Sequence, residues 1–335
     1  MNIVVDMPVY APMLHVLQQM QGVNVRLVEP EERSRPLPPE LIAGCEVLFC
    51  SFPPENHELM LKLRMIQVSS AGYRQLTGQK FEERAIKACN ALGVFDVPIA
   101  EWNIAMMISL LRDLRGLIRN QESGTWDRSA RFQKEIRGSV AGIWGYGGIG
   151  RETARLAKAL GMKVHVMTRN GITIRQNTYC LPGTGDPEGV LPDKVFLKDD
   201  KEAFLQGLDF LIMAMPQTAS TEGMIGEQEL RMLKQHAFLL NPARGPLIKE
   251  QALLKALNEG WIAGAALDTH YHYPMPPGHP LWHMPNVIMT PHISGSSAGT
   301  HFTERVWDIF VQNVQRLQDG APLLNELTRE QLRGE

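Results

Sequence analysis

Ser139-Val140-Ala141-Gly142-Ile143-Trp144-Gly145-Tyr146-Gly147-Gly148-Ile149-Gly150 is the stretch on which the fold turns. Ser139–Trp144 is a short apolar run with the character of a buried strand, and Gly150–Leu160 has helical spacing. Between them glycines fall at 145, 147 and 150, the G-x-G-x-x-G pattern in the strand–turn–helix setting that gives the pattern meaning. The first glycine permits the tight turn, the second lets backbone approach a pyrophosphate, and the third allows close helix–strand packing. The free amides and dipole of the helix start then favour an anion. Gly145, Gly147, Gly148, Ile149 and Gly150 are therefore candidate cofactor-binding residues.

The next strand, Lys163–Met167, ends in Met167-Thr168-Arg169-Asn170. A site selecting NAD usually places an acid here to hold the ribose hydroxyls. None is present; Thr168 can donate to a 2′-phosphate and Arg169 can pair with one bidentately. This favours NADP, with NAD as the alternative. Phe210–Met215, Ala237–Asn241, Gly264–Asp268 and Val287–Thr290 continue the strand series, with Lys249–Glu259 among the helical stretches between them. Upstream, Asn2–Val5, Val25–Val28, Glu46–Ser51, Ile66–Ser69 and Lys87–Asn90 form a second set of strands, and Met13–Met20 has helical spacing. Strands alternating with helices predict parallel sheets covered on both faces. Ala100–Ile118 reads as one long apolar helix, Arg119–Gly138, with Trp126 and Phe132, as an extended arm, and His301–Leu317 as a final helix. Residues 171–200, rich in Pro, Gly and charge, read as an exposed loop or a flap near the cofactor.

At 335 residues the chain suits two domains, and 44% hydrophobic with 21% charged residues describes a globular protein with a sizeable core. A formal net charge of -2 offers no reason to expect nucleic acid as a partner. No apolar run approaches a membrane span, and the opening Met1–Asp6 reads as a strand rather than a secretion signal. Cys45, Cys50, Cys89 and Cys180 form no C-x-x-C pair or zinc spacing, which suits a reducing, cytoplasmic setting. His270 and His272 alternate with Tyr271 and Tyr273 but lack an evident third ligand, so no metal is expected.

Two loops carry further chemistry. Arg244 lies in Asn241-Pro242-Ala243-Arg244-Gly245 after an apolar strand, and guanidinium presents a rigid fork of donors that matches a carboxylate. His292 lies in Thr290-Pro291-His292-Ile293-Ser294-Gly295, and an imidazole titrates where a proton-exchanging group must. From Ser139 to about Ser297 the chain resembles the D-isomer-specific 2-hydroxyacid dehydrogenases, the glyoxylate, hydroxypyruvate and phosphoglycerate enzymes among them. The resemblance rests on Gly145–Gly150, Asn241–Gly245, Ala266-Leu267-Asp268, His279-Pro280-Leu281-Trp282, Pro285-Asn286-Val287-Ile288, Thr290–Gly295 and Pro322-Leu323-Leu324-Asn325, with weaker echoes at Ser70–Tyr73 and Ile99–Glu101.

This resemblance implies an α/β protein of two Rossmann-like, doubly wound parallel-sheet domains with a cleft between them. The outer, flavodoxin-like domain would be discontinuous, 1–98 plus 296–335, and take the substrate; 99–295 would hold the dinucleotide. It implies that Arg244 grips the substrate carboxylate and polarises its carbonyl, and that His292 exchanges the proton. Asp268 would meet the nicotinamide amide. Pro216 and Gln217 would flank the adenosine, and Pro242, Ala243, His292 and Gly295 would complete the cofactor site. Amides of the Ala71–Gly72 turn would hold the carboxylate from the outer domain. A homodimer is also implied.

One departure stands out. The family normally has a glutamate five residues after the Asp of Ala-Leu-Asp, where it supports the charged form of the catalytic histidine. This chain has Tyr273 there, in a register kept by the surrounding prolines. A phenol is uncharged at pH 7, so it can hydrogen-bond an imidazole but cannot offset its positive charge. His292 is therefore expected to titrate low, with Tyr273 orienting it or shaping the pocket, unless Asp268 or Glu101 takes the glutamate's place. Trp102 and Tyr73 are expected to crowd the substrate side chain. The expected function is hydride transfer between NADP(H) and a small 2-keto or 2-hydroxy acid. The alternatives are a dehydrogenase for formate or another small oxyanion, and a non-enzymatic dinucleotide-sensing regulator.

Overall fold

A computed structural model describes residues 1–129 and 133–334, and the chain divides into two compact units. The first comprises Met1–Phe95, Gln176–Leu181 and the chain from Ser297 onward; the second comprises Asp96–Arg175 and Pro182–Ser296.

The first unit begins with β1 (Asn2–Asp6), α1 (Ala11–Gln19), β2 (Asn24–Leu27), α2 (Pro39–Ile42), β3 (Val47–Cys50), β4 (Met65–Val68) and β5 (Lys87–Cys89). Its five strands are all parallel in the order β2-β1-β3-β4-β5, the flavodoxin-like doubly wound arrangement. β3 and β4 are buried along their whole length, as continuous apolar runs such as Val47-Leu48-Phe49-Cys50 require.

The second unit opens with α3 (Asp96–Leu111) and α4 (Leu114–Glu122). There follow β6 (Val140–Trp144), α5 (Gly148–Ala159), β7 (Lys163–Met167), β8 (Lys194–Phe196), α6 (Lys201–Gln206) and β9 (Phe210–Met213). α7 (Glu227–Met232), β10 (Phe238–Asn241), α8 (Glu250–Asn258), β11 (Gly264–Leu267) and β12 (Val287–Met289) complete it. Seven parallel strands run β12-β11-β10-β9-β6-β7-β8. β6 pairs with β7 on one side and β9 on the other, so the winding reverses there, and ligands of such sheets bind beyond the carboxyl ends at that point. The chain then returns to the first unit with α9 (Thr300–Gln318) and α10 (Arg329–Arg333). Trp307 and Phe310 of α9 pack on Phe49 of β3, the two phenylalanine rings stacked at 4.2 Å.

Three expectations need correction. Ala100–Ile118 is not one helix: Asp113 takes a left-handed conformation (φ 46°) and breaks it between α3 and α4. The expected extended arm is helical as far as Glu122; Trp126 beyond it is 91% exposed, and Phe132 lies outside the described residues. Nor is 171–200 a plain exposed loop. It contains β8, and its Gln176–Leu181 segment belongs to the first unit. There Tyr179 is buried in the core with Val306 and Phe310, and its hydroxyl donates to Asp308 at 2.8 Å. Its backbone N–H donates to Asn325 Oδ1, and the Gly93 position, at φ +101°, leaves only 2.4 Å between a would-be Cβ and the Tyr179 carbonyl oxygen. The remainder is bolted to α5: Tyr146 Oη donates to Asp186 at 2.6 Å, and Arg151 donates to the Asp186 and Thr173 carbonyls. Pro and Gly density marked the irregular path but not the one aromatic side chain that anchors it.

Because Tyr179 fills core volume, Tyr179→Ala should destabilise the protein by about 3–5 kcal/mol, as aromatic-to-alanine core truncations do. Urea unfolding followed by circular dichroism checks this; a loss below about 1 kcal/mol would show the segment to be merely draped on the surface.

Candidate active site

Apart from Glu101 and Trp102 on α3, the candidate residues of the second unit follow the carboxyl ends of its strands. After β6, Gly145 has φ +102°, and a Cβ there would lie 2.5 Å from the Ala214 carbonyl oxygen beyond β9, so only glycine fits. A Cβ at Gly150 would meet the Gly145 oxygen at 2.4 Å, which seats α5 tightly against the turn. Gly147, by contrast, is exposed and has nothing within 4 Å of such an atom. It is the N-cap of α5, and no side chain caps that end. The turn thus offers an open backbone face at the start of a 12-residue helix, which fits a dinucleotide pyrophosphate. Gly148 is buried against the Asp96 carboxylate, and Ile149 is half-buried.

At the end of β7, Thr168 Oγ1 is buried without a hydrogen-bond partner and Arg169 is exposed. Pro216 and Gln217 lie exposed after β9, tied down by Thr221 Oγ1 donating to the Pro216 oxygen and by Gln217 reaching Glu222.

β10, β11 and β12 are successive neighbours, so their three following loops lie side by side. Asn241 closes the first: its Oδ1 accepts from the amides of Ala243 and Arg244, and its Nδ2 donates to the Arg244 oxygen at 2.8 Å. That leaves the Arg244 side chain exposed, one guanidinium nitrogen donating to the Ala243 carbonyl. Pro242 is buried beneath it. A Cβ at Gly245 would meet the His270 carbonyl at 2.5 Å, so glycine here lets the β10 and β11 loops touch.

Asp268, fully buried at the end of β11, organises the third loop. Its Oδ1 accepts from Thr290 Oγ1 at 2.6 Å and from the Ile293 amide at 2.9 Å; its Oδ2 accepts from the Ser294 amide at 3.1 Å and from Ser294 Oγ. The Asp268 carbonyl also accepts from the His292 amide at 2.8 Å. His292 is thereby held in the left-handed region, φ 57°, a conformation that costs a non-glycine residue of order 1–3 kcal/mol. Gly295 follows, half-buried.

Tyr273 stands beside His292, ring centroids 5.6 Å apart, and its hydroxyl oxygen accepts from the His270 amide. His270 itself is buried, Nε2 donating to the Thr290 carbonyl at 2.8 Å and Nδ1 without a partner, whereas His272 is exposed. Glu101 is exposed on α3. The Trp102 indole N–H donates to Thr290 Oγ1 at 3.1 Å; nothing in the sequence pointed to this partner. The His292 imidazole is pushed below its ordinary pKa, first by partial burial, then by the nearby Arg244 charge and by His270, with Asp268 opposing. Among the described residues no group of three His, Cys, Asp or Glu side chains is placed to hold a metal ion. No helix there is long and apolar enough to cross a membrane.

In the first unit, the Ala71–Gly72 turn follows β4. The Ala71 oxygen accepts from Asn90 Nδ2 at 2.7 Å, and Ser70 Oγ donates to the Gly72 oxygen. Thr290, Ser294 and Asn241 were each inside a quoted motif, yet their supporting roles emerge only from the folded loops.

Comparison with known proteins identifies the family. Residues 104–294 match the family model of the D-isomer specific 2-hydroxyacid dehydrogenase NAD binding domain. A glyoxylate reductase of Thermofilum pendens is 30% identical, over 75% of this chain and 71% of its own. A glycerate dehydrogenase of Methylorubrum extorquens is 29% identical, over 84% and 86% respectively. The crystal structure of a D-isomer specific 2-hydroxyacid dehydrogenase family protein from Aeromonas salmonicida superposes with a TM-score of 0.75 at 25% identity, covering 98% of both chains. With its two parallel α/β units and these matches, the chain belongs to the D-isomer-specific 2-hydroxyacid dehydrogenases, oxidoreductases that act on CH–OH donors.

Proposed function

We propose that this protein reduces a small 2-keto acid of the glyoxylate or hydroxypyruvate type, with NADPH preferred over NADH. What supports this reading most is that Arg244 and a firmly held His292 stand on the loops either side of the β11 loop, in the unit that also bears the glycine turn. The guanidinium of Arg244 binds the substrate carboxylate and draws electron density from the adjoining carbonyl. His292 delivers its proton to the carbonyl oxygen as negative charge develops there, and recovers it in the oxidative direction. When bound at the Gly145–Gly150 turn, with Pro216, Gln217, Pro242, Ala243 and Gly295 around it, the reduced nicotinamide supplies the hydride that carbon 2 gains. Support for NADPH comes from the end of β7: no acid stands there, the Thr168 hydroxyl lacks a partner, and the Arg169 side chain is open to a 2′-phosphate. Tyr273 orients the His292 ring by contact without lending it charge. We take the enzyme to act as a cytoplasmic homodimer; free cysteines and the exposed Leu114, Ile118 and Trp126 on and after α4 support this.

Absorbance of NADPH followed with glyoxylate, hydroxypyruvate and pyruvate tests the reading. At least one should be turned over, and Arg244→Ala should cut kcat/KM by about 100-fold or more, the loss of a charged carboxylate contact. Cofactor binding without turnover of any keto acid would favour a sensor, and turnover of formate alone a different hydride donor.

Arg169→Asp should invert the cofactor preference, raising the NADPH KM at least about tenfold while lowering that for NADH. An unchanged ratio would remove Arg169 from the cofactor site.

The lowered His292 pKa leaves little charged imidazole at pH 7. Reduction consumes that proton, so reductive kcat/KM should climb as pH falls below neutrality. Tyr273→Glu should carry the limb upward by about one pH unit, since a carboxylate beside the ring favours its charged form. A limb that stays in place would mean that position 273 does not act on His292.

A further inference from the structure

We propose that Trp102 and Thr290 are positioning residues for the proton chemistry of His292, acting through Asp268; this rests on the assignment of His292 as the proton-exchanging group. The Thr290 hydroxyl has a single proton. Trp102 Nε1–H donates to its oxygen at 3.1 Å, which turns that proton toward Asp268 Oδ1, 2.6 Å away. Asp268 then gathers three consecutive residues: the His292 amide on its carbonyl, and the Ile293 and Ser294 amides on its carboxylate. The carboxylate is fully buried, so each donor counts for more than it would in water. The strained left-handed backbone of His292 persists because these bonds over-determine it.

The anchor of the chain is helical. Trp102 sits on α3, whose buried residues Asn103, Met107 and Leu110 fix it to its own unit, and Asn103 Nδ2 donates to Thr153 Oγ1 of α5 at 3.0 Å. His270 reinforces the same point from below, donating to the Thr290 carbonyl. The charged and titratable groups facing His292 are Arg244 from the β10 loop, and Asp268, His270 and Tyr273 from β11 and its loop. Arg244 and His270 disfavour the charged imidazole, whereas Asp268 favours it. How firmly its carboxylate is held therefore sets how much of that support reaches the ring. The loop that carries His292 is thus held, through Thr290 and Asp268, from α3.

The test compares Thr290→Val, Thr290→Ser and Trp102→Phe with wild type by reductive kcat as a function of pH, NADPH affinity and thermal melting. Thr290→Val keeps the shape and loses the hydroxyl; kcat should fall about tenfold and the His292 limb should move down by about half a pH unit, with NADPH affinity unchanged within about twofold. Thr290→Ser should restore both kcat and the limb. Trp102→Phe should shift both in the same direction by a smaller amount. If Thr290→Val and Trp102→Phe lower the melting temperature but leave limb and kcat in place, the residues are structural and the proposal fails. His292→Gln is run alongside: turnover undiminished in that variant overturns the assignment of His292 itself, an outcome separate from any result at Thr290 or Trp102.

Discussion

The loop that bears His292 depends on a buried carboxylate at the end of an interior strand, β11. Asp268 accepts from a threonine hydroxyl, a serine hydroxyl and two amides, while its carbonyl takes a third amide. A lone carboxylate removed from water is costly, and donors of this number are what make its burial tolerable. The same bonds curl residues 292–294 into a loop whose first member, a histidine, has a backbone geometry it would not choose. One residue's hydrogen bonds thus make its own burial tolerable and fix the backbone of His292.

Parallel-sheet topology supplies the rest of the placement. Arg244, Asp268 and His292 are separated by 24 residues or more in the chain, since 268 less 244 is 24 and 292 less 268 is 24. Strands β10, β11 and β12 are consecutive neighbours, so the residues just past each end come together without any special loop. The glycine turn lies at the winding reversal of the same sheet, where β6 separates β7 from β9. The charges about the imidazole do not favour its protonated form. Tyr273 contributes contact without charge, Arg244 repels the protonated ring, and the opposing attraction comes from a carboxylate already engaged by its own loop. Such a ring releases its proton readily.

Much of this was legible in the amino-acid order, for identifiable reasons. Buried parallel strands are continuous apolar runs, so Lys163–Met167 and Val47–Cys50 announce themselves. The glycines at 145 and 150 are dictated by backbone approaches of 2.5 and 2.4 Å, constraints severe enough to leave a pattern. The break at Asp113 was not legible, because apolar spacing runs through it and only a single left-handed residue marks the end of α3. The destination of Gln176–Leu181 was hidden for a different reason: its partners Gly93, Asp308 and Asn325 are remote in sequence. Likewise the hydrogen bond from Trp102 to Thr290 spans 188 residues. Roles that rest on long-range side-chain contacts leave no local periodicity to read.

In the proposed reaction a keto acid held by Arg244 and protonated by His292 takes its hydrogen directly from the reduced cofactor. Reducing glyoxylate's three-carbon homologue pyruvate, or hydroxypyruvate, with NADPH carrying deuterium in the transferable C4 position tests this most directly, with the product read by NMR and chiral chromatography. The expected product is a D-2-hydroxy acid with one deuterium on carbon 2. Deuterium lost to solvent, or a racemic product, would contradict it.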